Sequence, residues 1–333
     1  MLINFLLIFL ISAVNIAAQT TIQTKEWSDK SPHKSGFATV GGIKLHYLDW
    51  GGKGEPLLFL AGTANTAHIF DDVAPKFSDR FRVLGLTRRG HGQSDAPADG
   101  YDIPTLVEDI RQFLDAMKIK RVNLVGHSLA GDEMTKFAEL YPERVNKLVY
   151  LDAAYNRAEL LSIMVKAPRV QSAPVSPQDL AVFEGLRNVT KKAFGFWSDA
   201  QEADLRETSL GADGKVKSPV SAQTMSGLFK ALQESRFDYS KVKSPALAFY
   251  ATVKNPVFPP ETDEASRQKT LTYMKEQYIP YLNRQIERFK TEVAGGRVVE
   301  LPDANHFLFI QRQDEVVREM RKFLLNKRIK MKP

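Results

Sequence analysis

Val122-Asn123-Leu124-Val125-Gly126-His127-Ser128-Leu129-Ala130-Gly131 starts as a short apolar run, passes through a serine set among small residues, and continues with helical spacing over 129–140 until Pro142 halts it. Strand, sharp turn and helix in that order make a nucleophile elbow, which holds a serine hydroxyl proud of a sheet edge. Small residues flank Ser128 because such a turn forces neighbouring backbone together. The helix beginning at Leu129 directs its free N–H groups and positive dipole end at the serine, where an alkoxide or oxyanion would be stabilised.

On both sides of this stretch the chain alternates strands and helices. Residues 57–60, 81–86 and 145–151 are also continuous apolar runs, as strands buried on both faces require. Helix-like stretches at 72–77 and 103–117 lie between them, so the pattern implies a parallel sheet with helices on both sides. Ahead of these, 37–40 and 43–48 alternate apolar and polar residues around Gly41-Gly42, which reads as a β-hairpin. From Tyr155 to Ser240 the alternation stops. That stretch is helical and loop-rich, is broken by Pro168, Pro174, Pro177 and Pro219, and reads as an inserted cap. The alternation resumes with a strand at 246–250 and a long amphipathic helix in which Leu271, Met274, Tyr278, Leu282, Ile286 and Phe289 recur at helical spacing. A strand at 297–301 and a helix at 314–325 follow. The expected organisation is a core of 36–154 and 241–326, a cap of 155–240, and a basic tail of 327–333.

A chain of 333 residues with 43% hydrophobic and 26% charged side chains has the make-up of a globular protein, which excludes a disordered or collagenous one. The absence of cysteine removes disulfides, thiolate nucleophiles, Cys-type zinc sites and iron–sulfur clusters. The net charge of +7 is spread along the chain except for Lys327, Arg328, Lys330 and Lys332, a solvated tail. With no recognition motif beside it, no nucleic-acid partner is expected. Residues 2–18 carry no charge, hold an unbroken apolar run at 5–11, and end in the small pair Ala17-Ala18. This resembles a secretory signal peptide, with cleavage expected after Ala18 and an exported product. A permanent membrane anchor is the lesser alternative, because Asn4, Ser12 and Asn15 interrupt the run and a spanning helix needs about 20 predominantly apolar residues.

Three motifs in one chain, namely the 126–131 elbow, Arg89-Gly90-His91-Gly92-Gln93-Ser94 and Leu60-Ala61-Gly62-Thr63-Ala64, resemble the α/β-hydrolase superfamily. The likeness is to its capped, serine-dependent, esterase-like members and covers about 36–325. It implies a mostly parallel central sheet flanked by helices, with a helical cap inserted after the sixth strand. The elbow departs from G-x-S-x-G, since Ala130 stands fifth and Gly131 follows one place later. The 89–94 loop is similar to the family's R-G-x-G-x-S loop, which makes His91 structural. In the 60–64 loop Ala61 replaces the histidine of the family's H-G-x turn. The resemblance then implies an oxyanion hole made by the N–H groups of Leu129 and Thr63.

A serine hydroxyl is a poor nucleophile until a base takes its proton. Of six histidines, His306 follows the last expected strand, where the family places its base, and the order serine, acid, histidine also fits. His127, next to the serine, reads as a packing residue of the elbow. The acid is less evident, because the stretch after the 246–250 strand, Ala251-Thr252-Val253-Lys254-Asn255, holds no carboxylate. Asp152, at the carboxyl end of the preceding strand, is the first candidate. Glu261 and Asp263 compete, although Asp263 stands where a helix begins and polar caps there are common. A chain with no acid is the remaining option.

Phe183, Phe194, Phe196, Trp197, Phe229, Phe237, Tyr239, Met164 and Met225 in the cap either line an apolar pocket or pack the cap against itself. The histidines are scattered and no H-E-x-x-H cluster appears, so no metal is expected. Gly51-Gly52-Lys53-Gly54 lacks phosphate-loop spacing, and no cofactor is expected. An aspartate at 128 would indicate a haloalkane dehalogenase or epoxide hydrolase, whereas Ser128 points to acyl transfer. The expectation is an exported serine hydrolase cleaving a small-molecule carboxylic ester, with an apolar part, through an acyl-enzyme at Ser128. The alternatives are an inactive member used as a binding module, an amidase, a carbon–carbon bond hydrolase, or a cofactor-free haloperoxidase.

Overall fold

The computed structural model describes residues 27–170 and 174–326. The segment 1–18 read as a signal peptide and the basic tail 327–333 lie outside the described residues. Eight strands form one sheet: β1 (Lys34–Val40), β2 (Ile43–Gly51), β3 (Glu55–Leu60), β4 (Phe81–Leu86), β5 (Val122–His127), β6 (Val145–Leu151), β7 (Ala246–Thr252) and β8 (Arg297–Pro302). Their spatial order is β1-β2-β4-β3-β5-β6-β7-β8. β1 and β2 pair antiparallel, as do β2 and β4, and the remaining pairs from β3 to β8 are parallel. The β1–β2 turn needs two residues at positive φ, which Gly41 and Gly42 supply at +54° and +83°.

Both faces of the sheet are covered, so the central strands carry apolar residues at consecutive positions and sort them by alternation. Leu58, Leu60, Leu124, Leu148 and Tyr150 enter one core, together with Phe113 of α1 (Ile103–Ala116) and Phe137 of α2 (Ala130–Leu140). Leu57, Phe59, Val125, Val149 and Leu151 enter the other, with Phe70, Phe77 and Phe309. A one-residue slip of β5 would exchange Leu124 and Val125 between cores, so both cores specify the register that sets Ser128 at the strand end.

Between β6 and β7 the described residues form α3 (Arg157–Met164), α4 (Pro177–Ala181), α5 (Phe183–Phe194), α6 (Asp199–Ser209) and α7 (Ala222–Glu234). After β7 come α8 (Glu264–Tyr273), α9 (Ile279–Glu292), and, beyond β8, α10 (Leu308–Gln311) and α11 (Gln313–Leu324). Two expectations need adjustment. The helix expected at 72–77 is a single 3₁₀ turn, Ala74–Phe77, preceded by another at Ala67–Phe70. Pro75 brings no N–H to that turn, which weakens a longer ladder. The long amphipathic helix is real but contains a π turn over Met274–Tyr278, where the Ile279 N–H reaches back to the Met274 carbonyl. Pro280 follows immediately, and its missing N–H accounts for the slipped register.

Candidate active site

Ser128 sits between β5 and α2 at φ +54°, a left-handed conformation that a non-glycine residue holds only where its surroundings impose it. Close packing does so. A Cβ on Gly126 would lie 2.7 Å from Met134 Sδ, and one on Gly131 would lie 2.0 Å from the Ala153 carbonyl oxygen. The second glycine of this elbow is therefore needed where α2 presses on the end of β6, one place after the usual position, and Ala130 is accommodated. Arg157, at the start of α3, donates from Nη2 to the Ser128 carbonyl at 2.6 Å and from Nε to Asp132 at 3.0 Å.

His306 lies in the turn after β8. Its Nδ1 is 2.6 Å from Asp152 Oδ2, and both residues are buried. His127, immediately before Ser128, donates from Nε2 to the His306 carbonyl at 3.1 Å, and the two rings are 4.4 Å apart. Burial first, and the nearby His306 second, hold His127 well below the usual imidazole range, so this packing ring is neutral. Asp152 itself has φ +49°. Its Oδ1 accepts the Tyr155 hydroxyl proton and, at 3.0 Å, the Ala251 N–H of β7. Tyr155 is held neutral, its hydroxyl pushed well above the usual phenol range by burial and then by the Asp152 charge.

The other candidate acids stand elsewhere. Asp263 caps α8, accepting from Ser266 N at 2.9 Å and Ser266 Oγ at 2.7 Å. Glu261 is exposed on the turn ahead of that helix. The carboxylate-free loop after β7 is held instead by Asp303, whose Oδ1 accepts from Lys254 N and Asn255 N, each at 2.7 Å.

The 61–64 loop abuts the elbow, since a Cβ on Gly62 would lie 3.0 Å from Ser128 Cβ. Arg88, a buried residue that the sequence reading passed over, fixes this loop by donating to the carbonyls of Ala61 at 2.7 Å and Gly62 at 3.2 Å. Glu133 of α2 holds the guanidinium in turn, with Arg88 Nη2 2.9 Å from its Oε2. Two adjacent arginines after an apolar run were the available signal, and Arg89 forms the matching buried pair with Asp109. On the far side of the loop, Asp204 of α6 accepts from Thr66 N, Thr66 Oγ1 and Asn65 Nδ2 at 2.6, 2.8 and 2.6 Å. Burial pushes the Asp204 carboxyl up to about 7 against those hydrogen bonds. His91 is buried and donates from Nδ1 to the Arg89 carbonyl at 2.9 Å, a structural contact.

Thr63 and Phe307 line a cleft of about 610 Å³ that opens to solvent, together with Leu186, Phe194, Trp197 and Gln201. Gln201 is buried and neither atom of its side-chain amide has a hydrogen-bond partner. Of the aromatic residues expected to line a pocket, Phe194 and Trp197 do so. Phe237 and Tyr239 pack instead on each other, and Tyr239 stacks edge-on to Phe289 of α9.

A family model described as alpha/beta hydrolase fold matches residues 55–313. The chain is 30% identical over 167 residues to a non-heme chloroperoxidase of Kitasatospora aureofaciens, covering 49% of this chain and 57% of the relative. It is 33% identical over 113 residues to the 2-(acetamidomethylene)succinate hydrolase of Mesorhizobium japonicum, covering 34% and 40%. The crystal structure of an epoxide hydrolase from Bacillus megaterium matches with a TM-score of 0.63 at 21% identity, covering 87% of this chain and 100% of that one. The matched stretches span from about a third to 57% of the curated relatives' lengths.

Proposed function

The chain belongs to the alpha/beta hydrolase fold family, and from that premise we propose that it is a serine hydrolase cleaving a small-molecule carboxylic ester. One observation carries the reading. The strained Ser128 follows the ring that contacts His306, and His306 Nδ1 is bonded to a buried carboxylate. With Nδ1–H donating to Asp152, Nε2 of His306 is the acceptor for the Ser128 hydroxyl proton. The serine oxygen forms a bond to the ester carbonyl carbon, and the carbonyl π pair moves onto oxygen. The N–H groups of Leu129 and Thr63 stabilise that oxyanion. On collapse the alcohol leaves with the proton from His306, and the same histidine then activates water to release the acid from Ser128.

An aspartate nucleophile would form an alkyl-enzyme ester and open epoxides, whereas serine at this position supports acyl transfer. The apolar cleft supports a substrate with an apolar part. The unpartnered Gln201 amide supports a hydrogen-bonding group within that part, since a buried polar group gains most from a partner the ligand brings. We extend the reading to residues 155–240 as a cap over the site. We also extend it to export directed by residues 1–18, for which the mature N-terminus expected by mass spectrometry is Gln19. Among the described residues no helix is long and apolar enough to cross a membrane.

The test is labelling with a fluorophosphonate, followed by a panel of activated esters, amides and epoxides with plain and amide-bearing acyl chains. Expected are modification of Ser128 alone, its loss in Ser128→Ala, and turnover of esters over the other classes. A folded wild-type protein that takes no label and turns over no ester would instead be a binding module, and preferred turnover of amides or epoxides would reassign the bond cleaved.

A further inference from the structure

Three of the chain's six histidines lie far from one another in sequence relative to any metal motif, yet the fold brings them together outside the candidate active site. His33, His46 and His68 meet Asp29, Asp71 and Glu207 where the start of the described chain crosses the turn Ala67–Phe70 and α6. One donor atom from each of Asp29, His33, His68 and Asp71 lies within 4.8 Å of all the others. His68 Nδ1 is 2.7 Å from Asp71 Oδ2 and 3.3 Å from Asp29 Oδ2, and His33 Nε2 is 3.8 Å from Asp29 Oδ2. Zinc bonds of about 2.0–2.2 Å to imidazole nitrogen and carboxylate oxygen imply tetrahedron edges of about 3.3–3.5 Å, and these separations bracket that value.

The outer contacts match what metal ligands require. With Nδ1 of His68 turned inward, its Nε2 faces Glu207 Oε2 at 2.9 Å. With Nε2 of His33 turned inward, its Nδ1 is 3.1 Å from Asp71 Oδ1. That oxygen also accepts from Trp50 Nε1 at 2.9 Å and Ser31 Oγ at 2.6 Å, which leaves Oδ2 for the centre. The Glu207 side chain is only 7% exposed, so this outer carboxylate stands behind the His68 ring, shielded from solvent. Among the described residues no lysine or arginine pairs with Asp29, Asp71 or Glu207. Their only basic neighbours among these residues are imidazoles, so the charge of the buried Asp71 and Glu207 is matched either by protonated histidine or by a bound cation, and the two differ in whether the ring nitrogens carry protons or a metal.

We propose that Asp29, His33, His68 and Asp71 form a structural site for one divalent cation of the zinc type. Two imidazoles with two carboxylates select zinc over calcium or magnesium, which take oxygen ligands. Four protein ligands close the coordination sphere, so the ion clips residues 29–33 to the turn that follows the Thr63 loop and holds no water for catalysis.

The test uses untagged, folded protein, stripped with EDTA and dialysed, then titrated with Zn²⁺ by calorimetry and followed by thermal denaturation, with Co²⁺ absorption reporting geometry. Expected are one Zn²⁺ per chain, a rise in melting temperature, and a tetrahedral Co²⁺ spectrum. Glu207→Gln should weaken binding by about 10- to 100-fold, as loss of an outer partner does, and Asp29→Asn and His33→Gln by more. Both ligand changes lie on the N-terminal segment, so the hydrolase core folds in each. Absence of binding by the wild type, or affinity unchanged in Asp29→Asn and His33→Gln, overturns the proposal and leaves a cluster held by protons alone.

Discussion

Asp152 and His306 meet at 2.6 Å although the strands they follow, β6 and β8, are separated in the sheet by β7. The aspartate bridges the gap at φ +49°, with its backbone N–H bonded to the Phe249 carbonyl of β7 at 3.0 Å and its Oδ1 capping the Ala251 N–H. The middle strand thus serves as a platform, and the loop that follows it needs no carboxylate of its own.

Replacing Asp152 by asparagine should test this relationship directly. The amide oxygen can still accept from Tyr155 and Ala251, but the amide nitrogen then faces His306 Nδ1 and drives the ring proton to Nε2, where the serine proton must go. Turnover should fall by as much as about 10⁴-fold with little change in melting temperature. Asp263→Ala removes a helix cap, and should lower the melting temperature slightly while keeping most activity. Steady-state kcat and melting temperature for both variants, with Glu261→Gln beside them, decide the assignment. A near-normal Asp152→Asn would move the acid elsewhere.

Arg88 should separate stability from catalysis. Arg88→Met strands the buried Glu133 carboxylate, at about 3–5 kcal/mol, and frees the Ala61 and Gly62 carbonyls. Adding Glu133→Leu should recover much of the stability, because two apolar side chains replace a broken ion pair. Turnover should stay low in the double variant, by up to about 10²–10³-fold, the loss expected when one oxyanion donor is misplaced. Recovery of kcat together with melting temperature would show that Arg88 has no part in positioning the Thr63 loop.

His91 makes a prediction about acid. Burial, and secondarily the Arg88 charge, lower its imidazole from 6.5 to about 3. Between those values the unfolded chain binds a proton that the folded chain refuses. Stability therefore rises with pH across that window and is lost as pH falls from about 6.5 toward 3, by about 1.4 kcal/mol per unit. His91→Asn keeps an N–H for the Arg89 carbonyl and takes up no proton. Denaturant midpoints at pH 7 and pH 4.5 should show the wild type losing more than the variant, whatever their absolute stabilities. Equal losses would mean that His91 is protonated in the folded state.

Much of this molecule can be read along the chain because its signals are local. The apolar runs at 57–60, 81–86, 122–125 and 145–151 need both faces covered, and that requirement alone gives the parallel sheet. Ser128 is legible because strand, turn and helix are contiguous, and His306 because it follows the last strand. The shifted glycine becomes intelligible only in three dimensions, since Gly131 answers to the Ala153 carbonyl just beyond β6. Arg88, Tyr155 and Arg157 carried no motif, as each acts through partners brought close by folding. The four side chains of the proposed cation site are split between 29–33 and 68–71, a spacing that resembles no metal signature. Their two segments are separated along the chain by β1, β2 and β3 and meet only in the folded molecule.

The first residues after β6 are anchored twice, with the Tyr155 hydroxyl on Asp152 and the Arg157 guanidinium on the Ser128 carbonyl. Helix α3 therefore cannot swing away from the sheet without releasing Asp152 and loosening the turn at Ser128 in the same motion. Any widening of the cleft to admit a bulky molecule must pivot farther along the chain, beyond Met164, where α5 and α6 supply the walls. A shift of α6 would in turn pull on residues 65 and 66 through Asp204, so the cleft wall and the loop that abuts Ser128 move together, while the Asp152–His306 pair stays tied to α3.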